Sequence, residues 1–251
     1  MKRALTRLAF STVIIGMVGA LSFGATPVSA DTPRSLTPNE QLNLLITSEI
    51  SPPWFPAVAA ENPEIMAPGS RLPICETLDE DGIRLTNAPQ HDGGAINALR
   101  YQSAAPGEFL FLIQSGYVYP TEKSAKSAWR KLIRQSAQCN GTFNSPYQFA
   151  DTPRLGDTRL TQKVLRGTTL YGHRSLIIDS NGLSTKFNAA IHDRVVGEII
   201  IWRFEGQSII RTLASKAVNG SASNALSLQE KTTISALADL ATDKYHTALR
   251  R

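Results

Sequence analysis

The chain reads as an α+β domain: an antiparallel β-sheet with helices packed mainly on one face, in a single domain. Three observations predict it. Two long apolar runs, 109–113 continuing to Val118 and 195–202, have the near-continuous character of core strands. Asn181-Gly182 and Asp193-Arg194 look like turns between antiparallel strands. Three further segments carry helix-start residues ahead of apolar side chains at helical spacing. The resulting order is helix, strands, helix, antiparallel strands, helix, which suits helices laid against an antiparallel sheet.

The first helix starts at Thr37-Pro38-Asn39-Glu40: Thr37 caps, Pro38 suits the first turn, and Glu40 reaches back to the cap amide. Leu42, Leu45 and Ile46 give it one apolar face, and it ends before Pro52. Residues 51–70 hold six prolines or glycines, so they read as irregular, with Trp54 and Phe55 anchoring the loop on the core. Ile74 to Asp92 carries Cys75, an acidic patch (Glu76, Asp79, Glu80, Asp81) and turn signals; the acids lack the alternation of a calcium loop. Strands follow at 95–103 and from Phe109 to Val118. The second helix is capped by Thr121. Ala125, Ala128, Trp129, Leu132 and Ile133 form its buried stripe, and Asn140-Gly141 stops it just after Cys139.

Beyond that helix, 143–155 reads as a loop. Strands are expected at 161–166, 175–179, 187–191 and 195–204, while 207–217 fits either a helix or a strand. Ser227 and Glu230 form a capping box for a last helix whose buried face is Ile234, Leu237, Ala238, Ala241 and Tyr245.

The N-terminus has its own pattern. Lys2, Arg3 and Arg7 precede an uncharged, mostly apolar segment from Leu8 to Phe23, and small residues end at Val28-Ser29-Ala30. That is the pattern of a secretory signal, residues 1–30, cut between Ala30 and Asp31. The rival, an uncleaved anchor, is disfavoured because the apolar segment falls short of the roughly 20 residues that span a bilayer. Residues 31–36 then form a flexible leader and 37–251 the exported domain, with no stable transmembrane segment after cleavage. The net charge of +5 shrinks once the signal is removed: 23 basic residues remain against 21 acidic ones. Scattered cations without a dense run argue against a nucleic-acid partner.

Two cysteines in an exported chain allow one pairing, Cys75 with Cys139. The alternatives are two free thiols or a redox or metal site, and the absence of CxxC spacing weakens the latter two. No metal or cofactor motif is present. The histidines are His91, His173, His192 and His246; neither HExxH nor GxSxG occurs. His91-Asp92 and His192-Asp193 are adjacent pairs, and adjacent strand residues point to opposite faces, so neither is a His–Asp couple by itself. Ser115 lacks the setting of a nucleophile elbow.

The order of motifs resembles the PknH-like extracellular sensor domains of actinobacteria. The resemblance runs from about Leu36 to Leu249. It rests on the Leu36–Leu42 helix start, Cys75 before the sheet, Ile113 to Tyr119, and Pro120 with the Ala/Trp-bearing helix ending at Cys139. The Leu155-Gly156-Asp157 turn and the closing strands and helix complete it. The resemblance implies a helix-and-sheet module with a cleft that binds an extracellular ligand without chemistry. A second disulfide common in that family is missing, since the matching places hold His173 and a residue near Trp202. The expectation is a secreted or cell-surface ligand-binding domain whose partner is an extracellular ligand or cell-envelope component. The alternative is a secreted hydrolase in which His91, His173 or His192 meets an acid and a nucleophile.

Overall fold

The computed structural model describes residues 35–46, 63–75, 88–102, 109–146, 157–168, 174–184, 194–219 and 225–250. All of them fall in the compact unit Pro33–Arg251. The cleavage point Ala30–Asp31, Trp54, Phe55, the acidic run 79–81, His173, His192 and the strand expected at 187–191 lie outside the described residues.

The chain forms α1 (Pro38–Leu42), β1 (Glu64–Met66), β2 (Gly94–Gln102), β3 (Phe109–Val118) and α2 (Glu122–Gln135). A 3₁₀ turn, Ser136–Cys139, follows, and then β4 (Gly141–Pro146), β5 (Asp157–Thr168), β6 (Arg174–Ser184), β7 (Arg194–Glu205), β8 (Ser208–Asn219) and α3 (Leu228–Leu249). The strands make one sheet in the order β1-β2-β3-β8-β7-β6-β5-β4, and every pairing is antiparallel. After β3 the chain crosses by way of α2 to the far edge. It then returns strand by strand until β8 inserts between β7 and β3.

The ambiguous stretch 207–217 is a strand because Gly206 closes a two-residue hairpin with φ of +52°, pairing Glu205 with Ser208. Three loop or turn assignments are corrected. Residues 64–66 pair with β2, and 141–146 pair with β5, so both Pro- and Gly-bearing segments supply edge strands. Asn181-Gly182 is not a turn: Asn181 lies between Thr161 and Gly197, and Gly182 between Leu160 and Val196. Leu36, placed in a flexible leader by the sequence, is 4% exposed and packs with Ile210, Ala241, Tyr245 and Leu249.

The expectation of helices mainly on one face is also corrected, and the reason lies in strand alternation. Ala125, Trp129 and Leu132 of α2 cluster with Tyr117, Ile178, Ile200, Trp202, Ile209 and Leu213. Ile234 and Ala238 of α3 cluster with Leu110, Leu112, Ile199, Ile201 and Ala214. The two sets interleave along β7 and β8, so α2 covers one face and α3 the other. The apolar run 199–202 is therefore buried on both sides, and each of its side chains contributes about 1.5–3 kcal/mol on burial.

All three helices begin as the sequence predicts. Thr37 with Glu40, Thr121 with Ser124, and Ser227 with Glu230 each form a reciprocal capping box. In the second box, Ser124 supplies the return bond usually made by Glu or Gln. Cys75 and Cys139, both fully buried with Cα atoms 5.8 Å apart, are joined by a disulfide. It ties the 3₁₀ turn after α2 to the segment between β1 and β2.

Candidate functional site

The histidine-based alternative is tested first by where the side chains lie. His91 is buried, with Nδ1 2.9 Å from the Gly93 carbonyl and its ring centroid 5.0 Å from that of Tyr117. Burial outweighs the Gly93 and Asp92 contributions and lowers its pKa, so it stands neutral. Its Nε2 meets no partner among the described residues. His246 sits on α3 with Nδ1 2.6 Å from Glu205 Oε1, on the face opposite α2. Ser115 is buried on β3, in register with Arg211 rather than with a histidine. Among the described residues, no histidine hydrogen-bonds to both an acid and a hydroxyl, and no group of three or more His, Cys, Asp or Glu could hold a metal ion.

A cleft of about 580 Å³ opens where the chain passes from β3 into α2. Pro89, Gln90 and Asp92 line it on one side, Tyr119, Pro120 and Thr121 at the entry to the helix, and Lys123, Ser124, Ser127, Ala128 and Lys131 along α2. The geometry follows from local sequence. Pro120 cannot continue the ladder of β3. Thr121, extended at φ −145°, starts the helix. Its Oγ1 accepts from the Ser124 amide at 3.1 Å, and its own amide donates to Ser124 Oγ at 3.2 Å. The Ala125 amide reaches the Thr121 carbonyl at 3.0 Å. These bonds leave the Glu122 and Lys123 amides at the open end of the helix, where the backbone dipoles present partial positive charge.

Tyr119 is 3% exposed, and its hydroxyl has no hydrogen-bond partner among the described residues. Burial, and then the Asp92 carboxylate, push the phenol pKa well above its ordinary value, so the group stays protonated and able to donate. The sequence marks Tyr119 and Thr121 only as the entry to a helix. A signal was nonetheless present in α2, whose cations, Lys123, Lys126, Arg130, Lys131 and Arg134, face a single acid, Glu122.

The same face of the sheet carries a buried polar row that the sequence reading missed. In register across β5, β6, β7 and β8 stand Gln162, Ser180, Glu198 and Ser215. Gln162 Nε2 donates to Ser180 Oγ at 3.0 Å. Glu198 is 1% exposed and its Oε1 lacks a partner among the described residues. Desolvation pushes its carboxyl up to about 8, so it is largely protonated at neutral pH. Four residues farther along β7, Trp202 stacks beside Tyr117 with centroids 5.9 Å apart, and the Arg211 guanidinium lies 5.7 Å over its ring.

A second cleft, of about 500 Å³, lies between α1 and α3, with Leu36, Leu44 and Ala248 beside Glu40, Asn43, Asp243 and Lys244. It has no buried, unpartnered polar group among its lining residues.

No protein-family profile matches the chain, and no curated protein matches it. Among solved structures, the extracellular domain of PknH from Mycobacterium tuberculosis is similar to it, with 14% identity and a TM-score of 0.49. That match covers 84% of this chain and 99% of the other.

Proposed function

We propose that the protein is an exported, non-catalytic ligand-binding domain of the cell envelope or extracellular space, and that the cleft beside α2 is its binding site. The observation that carries this reading is the cleft itself. It gathers a capped helix N-terminus, a buried phenol with no partner among the described residues and two lysines around walls that include Pro89, Pro120 and Ala128. Concave sites with a mostly apolar wall and a few convergent polar groups are the usual form of a small-molecule site. Export is supported by the secretory pattern of residues 1–30 and by the disulfide, a bond that persists in oxidising compartments. Among the described residues no helix is long and apolar enough to cross a membrane.

The test is steric. Ser127 is exposed on α2 and lines the cleft, so Ser127→Trp fills the site while leaving the fold intact. A soluble-metabolite screen read by thermal shift should give compounds that raise Tm for the unaltered protein and not for this variant. Turnover of an ester, amide or glycoside substrate, lost on His91→Ala or His192→Ala, would replace the binding reading with the hydrolase.

A further inference from the structure

The ligand class is inscribed in the same cleft, and naming it rests on the binding-site reading above. We propose that the α2 cleft takes the oxyanion of a small organic ligand, a phosphate or carboxylate group, on the N-terminus of α2, with Tyr119 and Lys131 completing the cradle. Three features of the same cleft support it. The first is the helix end, where the capping box consumes the Ser124 amide but leaves that of Lys123, which lines the cleft. Free amides at a helix start, aligned with the backbone dipole, form a ready anion site. The second is the Tyr119 hydroxyl, buried and unpartnered among the described residues. A buried donor left without an acceptor costs about 1–3 kcal/mol, and an arriving oxyanion would remove that cost. The third is charge: Lys123 and Lys131 line the cleft against one carboxylate, Asp92.

The remaining lining residues say what else the ligand carries. Pro89, Pro120 and Ala128 offer apolar surface, and a volume of about 580 Å³ far exceeds what a bare ion occupies. The anion is therefore one end of a larger organic body. Asp92 opposes a second negative group and accepts from a hydroxyl or ammonium, so it favours a ligand with a donor near its oxyanion. Tyr119 donates through a proton that it keeps throughout the neutral range.

Isothermal titration of the full exported protein with four aromatic probes of equal body decides the matter: phenyl phosphate, benzoate, benzylamine and benzyl alcohol. Phenyl phosphate and benzoate should bind saturably, and the other two should not. Their ratio tells a phosphate site from a carboxylate site. Raising the salt to about 0.2 M should weaken both anions through screening. Lys131→Ala should weaken them about tenfold and Tyr119→Phe about fivefold, each within the range of a charge-assisted hydrogen bond. Lys163→Ala, on β5 and outside the cleft, should change nothing and controls for net charge. Equal binding of benzylamine, or anion binding indifferent to both Lys131→Ala and Tyr119→Phe, overturns the proposal. If no anion binds but other compounds still raise Tm in a manner blocked by Ser127→Trp, only the ligand class fails. If Ser127→Trp alters the response to no compound, the binding site fails with it.

Discussion

The two faces of the sheet are covered by helices that both start in a capping box, and they are held in different ways. On the α3 face, charges are matched across the interface. Asp179 of β6 pairs with Lys231 at 2.6 Å, Arg203 of β7 with Asp239 at 2.9 Å, and Lys216 of β8 with Glu230 at 2.7 Å. The neutral groups there are matched only in part, since Asn97 Oδ1 and Gln41 Nε2 find no partner among the described residues. Gln114 accepts from the Ile46 amide and donates to Thr212, and Asn97 donates to the Ile46 carbonyl. On the α2 face, Ser115, Gln162, Glu198 and Trp202 each keep a polar atom without a partner among the described residues. Cohesion there comes from apolar packing, the disulfide and the bond that Arg166 of β5 donates to the Ile133 carbonyl at 3.0 Å. Ion pairs hold the α3 face as scaffold, whereas on the other face the unmatched Tyr119 hydroxyl belongs to a residue that lines the cleft, where a ligand can satisfy it.

Breaking the matched face should have the largest effect. Asp239→Ala strands a fully buried guanidinium, and a loss of about 3–5 kcal/mol is expected from urea unfolding. Replacing both Arg203 and Asp239 with leucine should cost much less, because no charge is then left buried. If both variants lose the same amount, the α3 face is held by packing rather than by matched charge.

The next effect lies on the other face. Cys75→Ala with Cys139→Ala opens a loop of sequence separation 64 and should cost about 2–4 kcal/mol, with the folded state still reached. A reductant should reproduce the loss only after unfolding, since both sulfurs are buried in the native state.

How much of this was legible in the sequence depends on distance along the chain. The caps were legible because Thr37, Thr121 and Ser227 act on residues three positions away. The core strands were legible because 109–118 and 195–204 are apolar whatever surrounds them. Edge strands were not: Glu64–Met66 is three residues of mixed polarity, and only its pairing with β2 makes it a strand. The side on which each helix lies was equally hidden. Ile199 and Ile200 look alike in sequence, yet one meets α3 and the other α2. Of the site, the Thr121 cap could be foreseen, but the link between Asp92 and Tyr119 arises from the Asp92 and Val118 backbone pairing, 26 residues apart.

The last effect is a slope. Glu198 holds its proton in the folded state up to about pH 8, whereas the unfolded chain releases it near the ordinary value of 4.5. The native state therefore binds more protons between those values, and stability falls as pH rises through that window. Glu198→Gln should flatten the fall and raise stability on its alkaline side. His91, whose pKa is lowered, acts in the opposite sense near its ordinary value, so the comparison is wild type against variant at each pH. An unchanged slope of urea midpoint against pH would mean that Glu198 finds its compensation in the native state and that the α2 face is less unmatched than it looks.

The position of β8 has a consequence for how the molecule comes into being. It joins β3 to β7, so β1 to β3 and β4 to β7 each present an unpaired edge until residues 208–219 arrive. A chain synthesised amino end first holds those two half-sheets apart until residues 208–219 are made. Cys75 and Cys139, by contrast, are both made well before the closing strand. Assembly is thus gated by the last quarter of the polypeptide, and truncation within β8 would leave two sticky ribbons rather than a smaller protein.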